Sequence, residues 1–163
     1  MNEHMIKVNI IALGKLKEKY FTAACDEYIK RLKGYCKLEI TEIEPVKLSD
    51  KPSQGEIEKA LEREARLIAA KIPQGSTVFA MCIEGKQLSS EAFAEKIGNA
   101  CNMGKGMTFI IGSSYGLSEE IKKRADIKMS VSSMTFPHKL FRVMLLEQLY
   151  RGFKINEGSA YHK

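Results

Sequence analysis

The sequence predicts an α/β protein, with a largely parallel sheet and helices on both of its faces. Three observations carry that expectation. Short β-rich runs alternate with longer stretches of helical periodicity along the 163 residues. Two of the runs, TVFAMCI at 77–83 and MTFII at 107–111, are nearly continuous in apolar residues, as strands covered on both faces are. Glycine or proline punctuates most junctions between the runs.

Each element follows in turn. Residues 5–13 are rich in Ile and Val and stop at Gly14, which reads as a first strand. Residues 17–33 read as a helix stopped by Gly34. Residues 37–44 alternate apolar and polar, a strand with one wet face, and 45–52 form a loop. Ser53-Gln54-Gly55-Glu56 spells a capping box, Ser53 as cap and Glu56 reaching back. The helix it opens carries Ile57, Leu61, Ala65, Ile68 and Ile72 along one stripe and ends at Pro73-Gln74-Gly75. A strand at 77–83 runs into a loop, Glu84-Gly85-Lys86. Residues 90–102 are helical, Met103-Gly104-Lys105-Gly106 is a loop, and 107–111 is a buried strand. Gly112-Ser113-Ser114-Tyr115-Gly116 is a turn, and Leu117-Ser118-Glu119-Glu120 opens a helix with acidic residues at its positive end. Residues 127–131 form the last strand. Pro137 falls in the first turn of the final helix, where its missing N–H costs nothing. The loop at 48–52 is too short to separate two cores, so one domain is expected over 1–163.

Composition narrows the class. Hydrophobic content of 44% and charged content of 28% argue against wholesale disorder. The longest apolar run is six residues, 78–83, against the roughly 18 that a membrane span needs. The opening MNEHMIKV lacks a charged-then-apolar signal pattern, so a cytoplasmic protein with no membrane association is expected. Cys25, Cys36, Cys82 and Cys101 are scattered, no CxxC occurs and there are only three histidines. Reduced thiols are therefore expected, with neither a disulfide framework nor a metal site. The net charge of +6 gathers in clusters such as Lys30-Arg31-Leu32-Lys33 and Lys122-Lys123-Arg124. A polyanionic partner fits them, because each neutralised phosphate releases counterions, but charge alone does not separate RNA from DNA or an acidic protein.

Open α/β sheets bind ligands beyond the C-terminal ends of their strands. Three loops qualify: Glu84-Gly85-Lys86, the 112–116 turn, and 132–136. Gly112, directly after a strand, lets a ligand approach the backbone closely. Neither GxGxxG nor GxxxxGK[ST] occurs, so dinucleotide and P-loop readings lack support. In the final helix, Val143-Met144-Leu145-Leu146 puts apolar groups on every side of one turn. Such a helix must be buried all round. A chain this small would hardly cover it alone, which points to a two-fold dimer, with a central core helix of a monomer as the alternative. His138, Lys139 and Arg142 form a polar patch at the helix start, suited to phosphate or to the wet edge of a packed helix.

GKLKEKY, IEGKQLSSE, FIIGSSYGL, MTFPHKLFRVMLLEQLYRGFKI and the final YHK together resemble one family, over residues 5–163. It is the ribosomal RNA large subunit methyltransferase H family, of the SPOUT class. The resemblance implies a C-terminal deep trefoil knot, which residue patterns alone would exclude by default. It implies a homodimer that moves a methyl group from S-adenosyl-L-methionine to N3 of a pseudouridine in large-subunit (23S) ribosomal RNA, on assembled ribosomes. It implies a cofactor pocket of Met81, Gly112, Val131, Ser132, Ser133, Met134, Thr135 and Phe136. It implies that Tyr161 and His162 approach the transferable methyl. There His162 would take the N3 proton, Arg142 would steady an anion or clamp phosphate, and Tyr161 would hydrogen-bond to or stack on the base. The chain departs from the family in two places. Ser113 replaces a second glycine after the fourth strand, where it would tighten the approach to the cofactor or add a hydrogen bond. Met1 to His4 precede the usual family start and carry no assigned function. Rival readings are a noncatalytic RNA- or ribosome-binding factor, a SPOUT enzyme acting on another RNA such as transfer RNA, and a flavodoxin-type nucleotide binder.

Overall fold

A computed structural model of the chain describes residues 5–163, so the remark on Met1 to His4 falls outside the described residues. Its elements run β1 (Ile6–Leu13), α1 (Lys19–Leu32), β2 (Cys36–Ile43), α2 (Gln54–Ala69), β3 (Thr77–Gln87) and α3 (Ser90–Asn102). Then come β4 (Met107–Ile111), α4 (Glu119–Arg124), β5 (Ile127–Ser130), α5 (His138–Asn156) and a terminal 3-10 turn, Ala160–His162. The strands form one sheet in the order β2-β1-β4-β3-β5, and every pairing in it is parallel.

Strand alternation sends successive side chains to opposite faces, and both faces are covered. Val8, Ile10, Phe79, Met81, Phe109 and Met129 join one core with Leu32 of α1, Phe93 and Ile97 of α3, and Leu145, Leu146 and Leu149 of α5. Phe79 stacks on Phe109 at 4.5 Å between ring centroids, and Phe93 meets Phe109 edge-on at 5.9 Å. Ile11, Leu13, Val78, Ala80 and Ile110 face the other way, onto Ala65 and Ile68 of α2 and Ile121 of α4. The nearly continuous apolar run of β4 is thus buried at all of its positions, Thr108 included.

The local chemistry expected from sequence is present at the helix starts. Ser53 Oγ accepts from Glu56 N at 3.2 Å, and Glu56 Oε2 accepts from Ser53 N at 2.7 Å. Ser118 Oγ caps α4 by accepting from Ile121 N at 3.2 Å.

Two expectations need correction. Residues 84–86 are not a loop beyond β3 but part of it: β3 pairs with Met129 at Met81 and again at Lys86, with a register shift between. Gly85 makes this close passage feasible, since a Cβ there would stand 2.5 Å from the Met129 carbonyl carbon. Pro137 occupies the cap position, and α5 begins at His138. Within one chain, α5 is only partly enclosed: Leu145 and Leu146 are buried, whereas Val143 and Met144 are half-buried.

Candidate functional site

A cavity of about 350 Å³ opens at the C-terminal ends of β4 and β5, beside the register shift of β3. Met81, Gly112, Val131, Ser132, Met134, Thr135 and Phe136 line it. Ser133, expected with them, is exposed and does not. Two tight loops shape it. In the first, a Cβ on Gly112 would lie 2.4 Å from the Gly116 carbonyl oxygen. Glycine is therefore demanded there by the loop's own fold-back. Gly116 N donates to the Ser113 carbonyl at 2.9 Å, with Gly116 itself at φ +82°. In the second loop, Ser130 Oγ donates to the Ser132 carbonyl at 2.8 Å and Ser132 Oγ accepts from Met134 N at 3.0 Å. Met81, Leu117, Met129, Phe136 and Phe141 supply apolar walls. Glu84 and Lys122 bring opposite charges to the same cavity and pair with each other, while Lys122 also reaches Glu119 at 3.2 Å. The Lys122 ammonium holds the Glu84 carboxyl below its ordinary range. Cys82 also lines the cavity, but burial pushes its thiol pKa up, away from reactive thiolate.

A second cavity, about 330 Å³, lies beyond the ends of β1 and β4, between α2 and the start of α5. It shares Ile111, Ser113, Ser114, Tyr115 and His138 with the first. Arg142 lines it and is buried. Its Nη1 donates to Glu42 Oε2 at 2.8 Å and its Nη2 to the Gly14 carbonyl at 3.1 Å. Lys139 pairs with Glu18. His138 Nε2 sits 3.5 Å from Ser114 Oγ, and burial lowers its pKa, which favours the neutral ring. The three-residue patch is therefore no exposed cationic clamp: one member is buried and paired, one is paired at the surface, and one is held neutral.

Tyr161 and His162 line neither cavity. They dock on their own chain's α5 and α3. Tyr161 Oη donates to Glu147 Oε1 at 3.3 Å, the ring meets Tyr150 edge-on at 4.9 Å, and Arg151 lies over its face at 4.9 Å. His162 Nε2 is 2.7 Å from Glu91 Oε1, and its Nδ1 is 3.4 Å from Arg151 Nη1. The tail is thus held by specific contacts.

Sequence reasoning missed Glu64. It is 3% exposed, accepts from Val46 N at 3.1 Å through Oε1, and accepts from the Ser113 hydroxyl at 3.1 Å through Oε2. A signal existed: Glu64 follows Leu61 by three and Ile57 by seven, which puts a carboxylate on the apolar stripe of α2. The hydrogen bond anticipated for Ser113 exists, and its partner is this carboxylate. Among the described residues, no group of three or more His, Cys, Asp and Glu is placed to hold a metal ion, and no helix is long and apolar enough to cross a membrane.

Comparison with known proteins converges on one family. A family model described as predicted SPOUT methyltransferase matches residues 6–162. A Clostridium perfringens protein named ribosomal RNA large subunit methyltransferase H 1 is 50% identical over 159 residues, covering 97% of this chain and 100% of the relative. A Clostridium kluyveri ribosomal RNA large subunit methyltransferase H is 49% identical over the same coverage. In fold, the chain resembles a methylase family protein from Neisseria gonorrhoeae (TM-score 0.55, 11% identity, 91% of this chain and 83% of that one). It also resembles one from Haemophilus influenzae (TM-score 0.56, 11% identity, 97% and 71%). Match length and identity leave no ambiguity of membership: the chain belongs to the SPOUT methyltransferase family, with the ribosomal RNA large subunit methyltransferase H proteins.

Proposed function

We propose that this chain is a single catalytic domain that transfers a methyl group from S-adenosyl-L-methionine to N3 of a pseudouridine in 23S ribosomal RNA. It does so as a cytoplasmic homodimer acting on the assembled ribosome, with its C-terminal part threaded as the family's deep trefoil knot. The observation that carries the reading is the pair of adjoining cavities at the strand ends, divided by the Gly112–Gly116 loop. A group transfer between two substrates needs two such spaces with a common wall.

The first cavity fits the cofactor. Its volume lies in the range of small-molecule sites, its walls are largely apolar, and Gly112 in the fold-back puts backbone rather than a side chain on its lining. Met81, Gly112, Val131, Ser132, Met134, Thr135 and Phe136 would hold the adenosine, while Glu84 and Lys122 offer one charge of each sign to a zwitterionic tail. When bound, the cofactor supplies a methyl on a sulfonium, already activated toward an in-line nucleophile. The protein's work is then to orient the base, exclude water and receive the N3 proton. Arg142, fixed by Glu42 and the Gly14 carbonyl, lines the second cavity and would stabilise negative charge on the base there. His162 takes the proton in this reading, with Tyr161 against the base. Because both dock outside their own chain's cavities, they would serve the site of the partner subunit. The half-buried Val143 and Met144 and the exposed Leu140 on α5 support pairing through that helix.

The test is transfer of tritiated methyl to three acceptors: ribosomes lacking the modification, ribosomes lacking pseudouridine as well, and free ribosomal RNA. Label in the first alone is expected. Equal label on the ribosomes lacking pseudouridine or on free ribosomal RNA would contradict the reading, and absence of both label and cofactor binding would favour a noncatalytic RNA-binding role.

A further inference from the structure

Among the described residues, two charged side chains are buried, Glu64 and Arg142. Both line the second cavity. They are not each other's partners: Arg142 answers Glu42 and the Gly14 carbonyl, and Glu64 answers Val46 N and the Ser113 hydroxyl. Buried charge is unfavourable unless its hydrogen-bonding capacity is used. Among the described residues, neither side chain has a buried atom without a partner, so both are held in fixed orientations and can each take a further bond. A carboxylate offers about four acceptor positions and Glu64 fills two; a guanidinium has five N–H donors and Arg142 commits two of its nitrogens. The remaining walls include Leu13, Ile57 and Leu61, suited to the faces of a flat ring. Lys15 and Lys139 stand at the same cavity, where a nucleotide's phosphates would meet them.

We propose that this second cavity receives the acceptor base, and that Glu64 recognises pseudouridine specifically by accepting its N1–H. The inference rests on the pseudouridine reading above and names how that substrate is chosen. The chemistry is selective. Pseudouridine joins its sugar through C5, so ring N1 carries a hydrogen. In uridine N1 is the glycosidic nitrogen and has none. N1 and N3 sit on either side of the C2 carbonyl, so N1 can face Glu64 while N3 faces the wall shared with the first cavity. Arg142 then donates to a ring carbonyl. Burial pushes the Glu64 carboxyl up against the pull of its two donors, and a further N–H donor would favour the charged form. A site built around a buried acceptor rejects the analogue that lacks the donor, because the acceptor is left unpaired.

The experiment compares wild type with E64Q and L61W. The ratio of kcat/KM on ribosomes carrying pseudouridine to that on ribosomes carrying uridine is measured for each, with S-adenosylmethionine affinity from calorimetry. Wild type should prefer pseudouridine by at least about 100-fold. E64Q should lower that preference at least tenfold with cofactor affinity within threefold, and L61W, which fills the cavity, should lose transfer while keeping the cofactor. An unchanged preference in E64Q would overturn the role of Glu64, as would normal transfer by L61W for the cavity. If E64Q proves too damaged to turn over, nuclear magnetic resonance of the wild type decides. Pseudouridine 5′-monophosphate should shift the Val46, Leu61 and Ser113 amides more than uridine 5′-monophosphate does. Equal or absent shifts would contradict the proposal. If wild type labels no ribosome yet shows those shifts, the function reading fails and the pocket assignment stands.

Discussion

The two cavities are neighbours of nearly equal size that differ in where their charges lie. The first is made of backbone turns and apolar walls, and its one charged pair, Glu84 with Lys122, lies toward solvent, with the Glu84 side chain 52% exposed. The second gathers both buried charges, Glu64 and Arg142, each tied to elements far away in sequence. A cofactor common to many reactions needs shape above all, whereas an acceptor chosen from a polymer needs polar groups that reject the wrong base. The difference also locates fragility: the first cavity should fail through sterics and the second through lost polar partners.

The largest expected effect spares both cavities. Deleting Tyr161 to Lys163 removes the ring contacts of the tail and its His162–Glu91 contact but no cavity wall. Single-turnover transfer should fall by about a thousandfold, the scale of losing a positioned acid–base group, while cofactor affinity stays within a few-fold. Equal rates for truncated and full-length chains would remove the tail from the chemistry. Next comes Gly112→Val, which drives a Cβ to 2.4 Å from the Gly116 carbonyl oxygen. Cofactor affinity should drop by about 100-fold, since rebuilding the loop costs a few kcal/mol; near-normal binding by calorimetry would show that the loop is not the cofactor's cradle.

How much of this was legible follows the same division. The strands, the Ser53 capping box and the loops at 112–116 and 132–136 were readable because glycine spacing and apolar runs report backbone shape directly. The extension of β3 through Glu84 to Gln87 was not, because polar residues and a glycine mimic a loop; only contact with Met129 makes them a strand. Arg142 read as a surface cation beside His138 and Lys139, since a helical wheel does not reveal that Glu42 and Gly14 close over it. Glu64 was visible as an acid on an apolar stripe, yet its meaning depends on Ser113, 49 residues away. The tail's docking depends likewise on Glu91, 71 residues from His162. Knot and substrate came from family resemblance.

A smaller effect probes the second cavity's anchoring. Arg142→Ala should destabilise the chain by about 2 kcal/mol in urea unfolding, because Glu42 and the Gly14 carbonyl lose their donor, yet leave cofactor affinity nearly unchanged. A stability change under 0.5 kcal/mol would mean the pair is solvated in practice.

The smallest effect is on pH. The hydrogen bond from His162 holds the Glu91 carboxyl at about 2. A carboxyl lowered on docking favours the docked tail fully above its ordinary pKa of 4.5, and the preference fades as pH falls toward 2. The Tyr161 ring resonances should therefore keep their docked positions down to about pH 4 and move below it; movement already between pH 7 and 5 would contradict that contact.

The most direct test of the central claim is nucleoside analysis of ribosomal RNA labelled by the purified protein with tritiated S-adenosylmethionine. After digestion, the label should elute with 3-methylpseudouridine from the large-subunit RNA. Label on a ribose hydroxyl, on a uridine, or on any other RNA would contradict it.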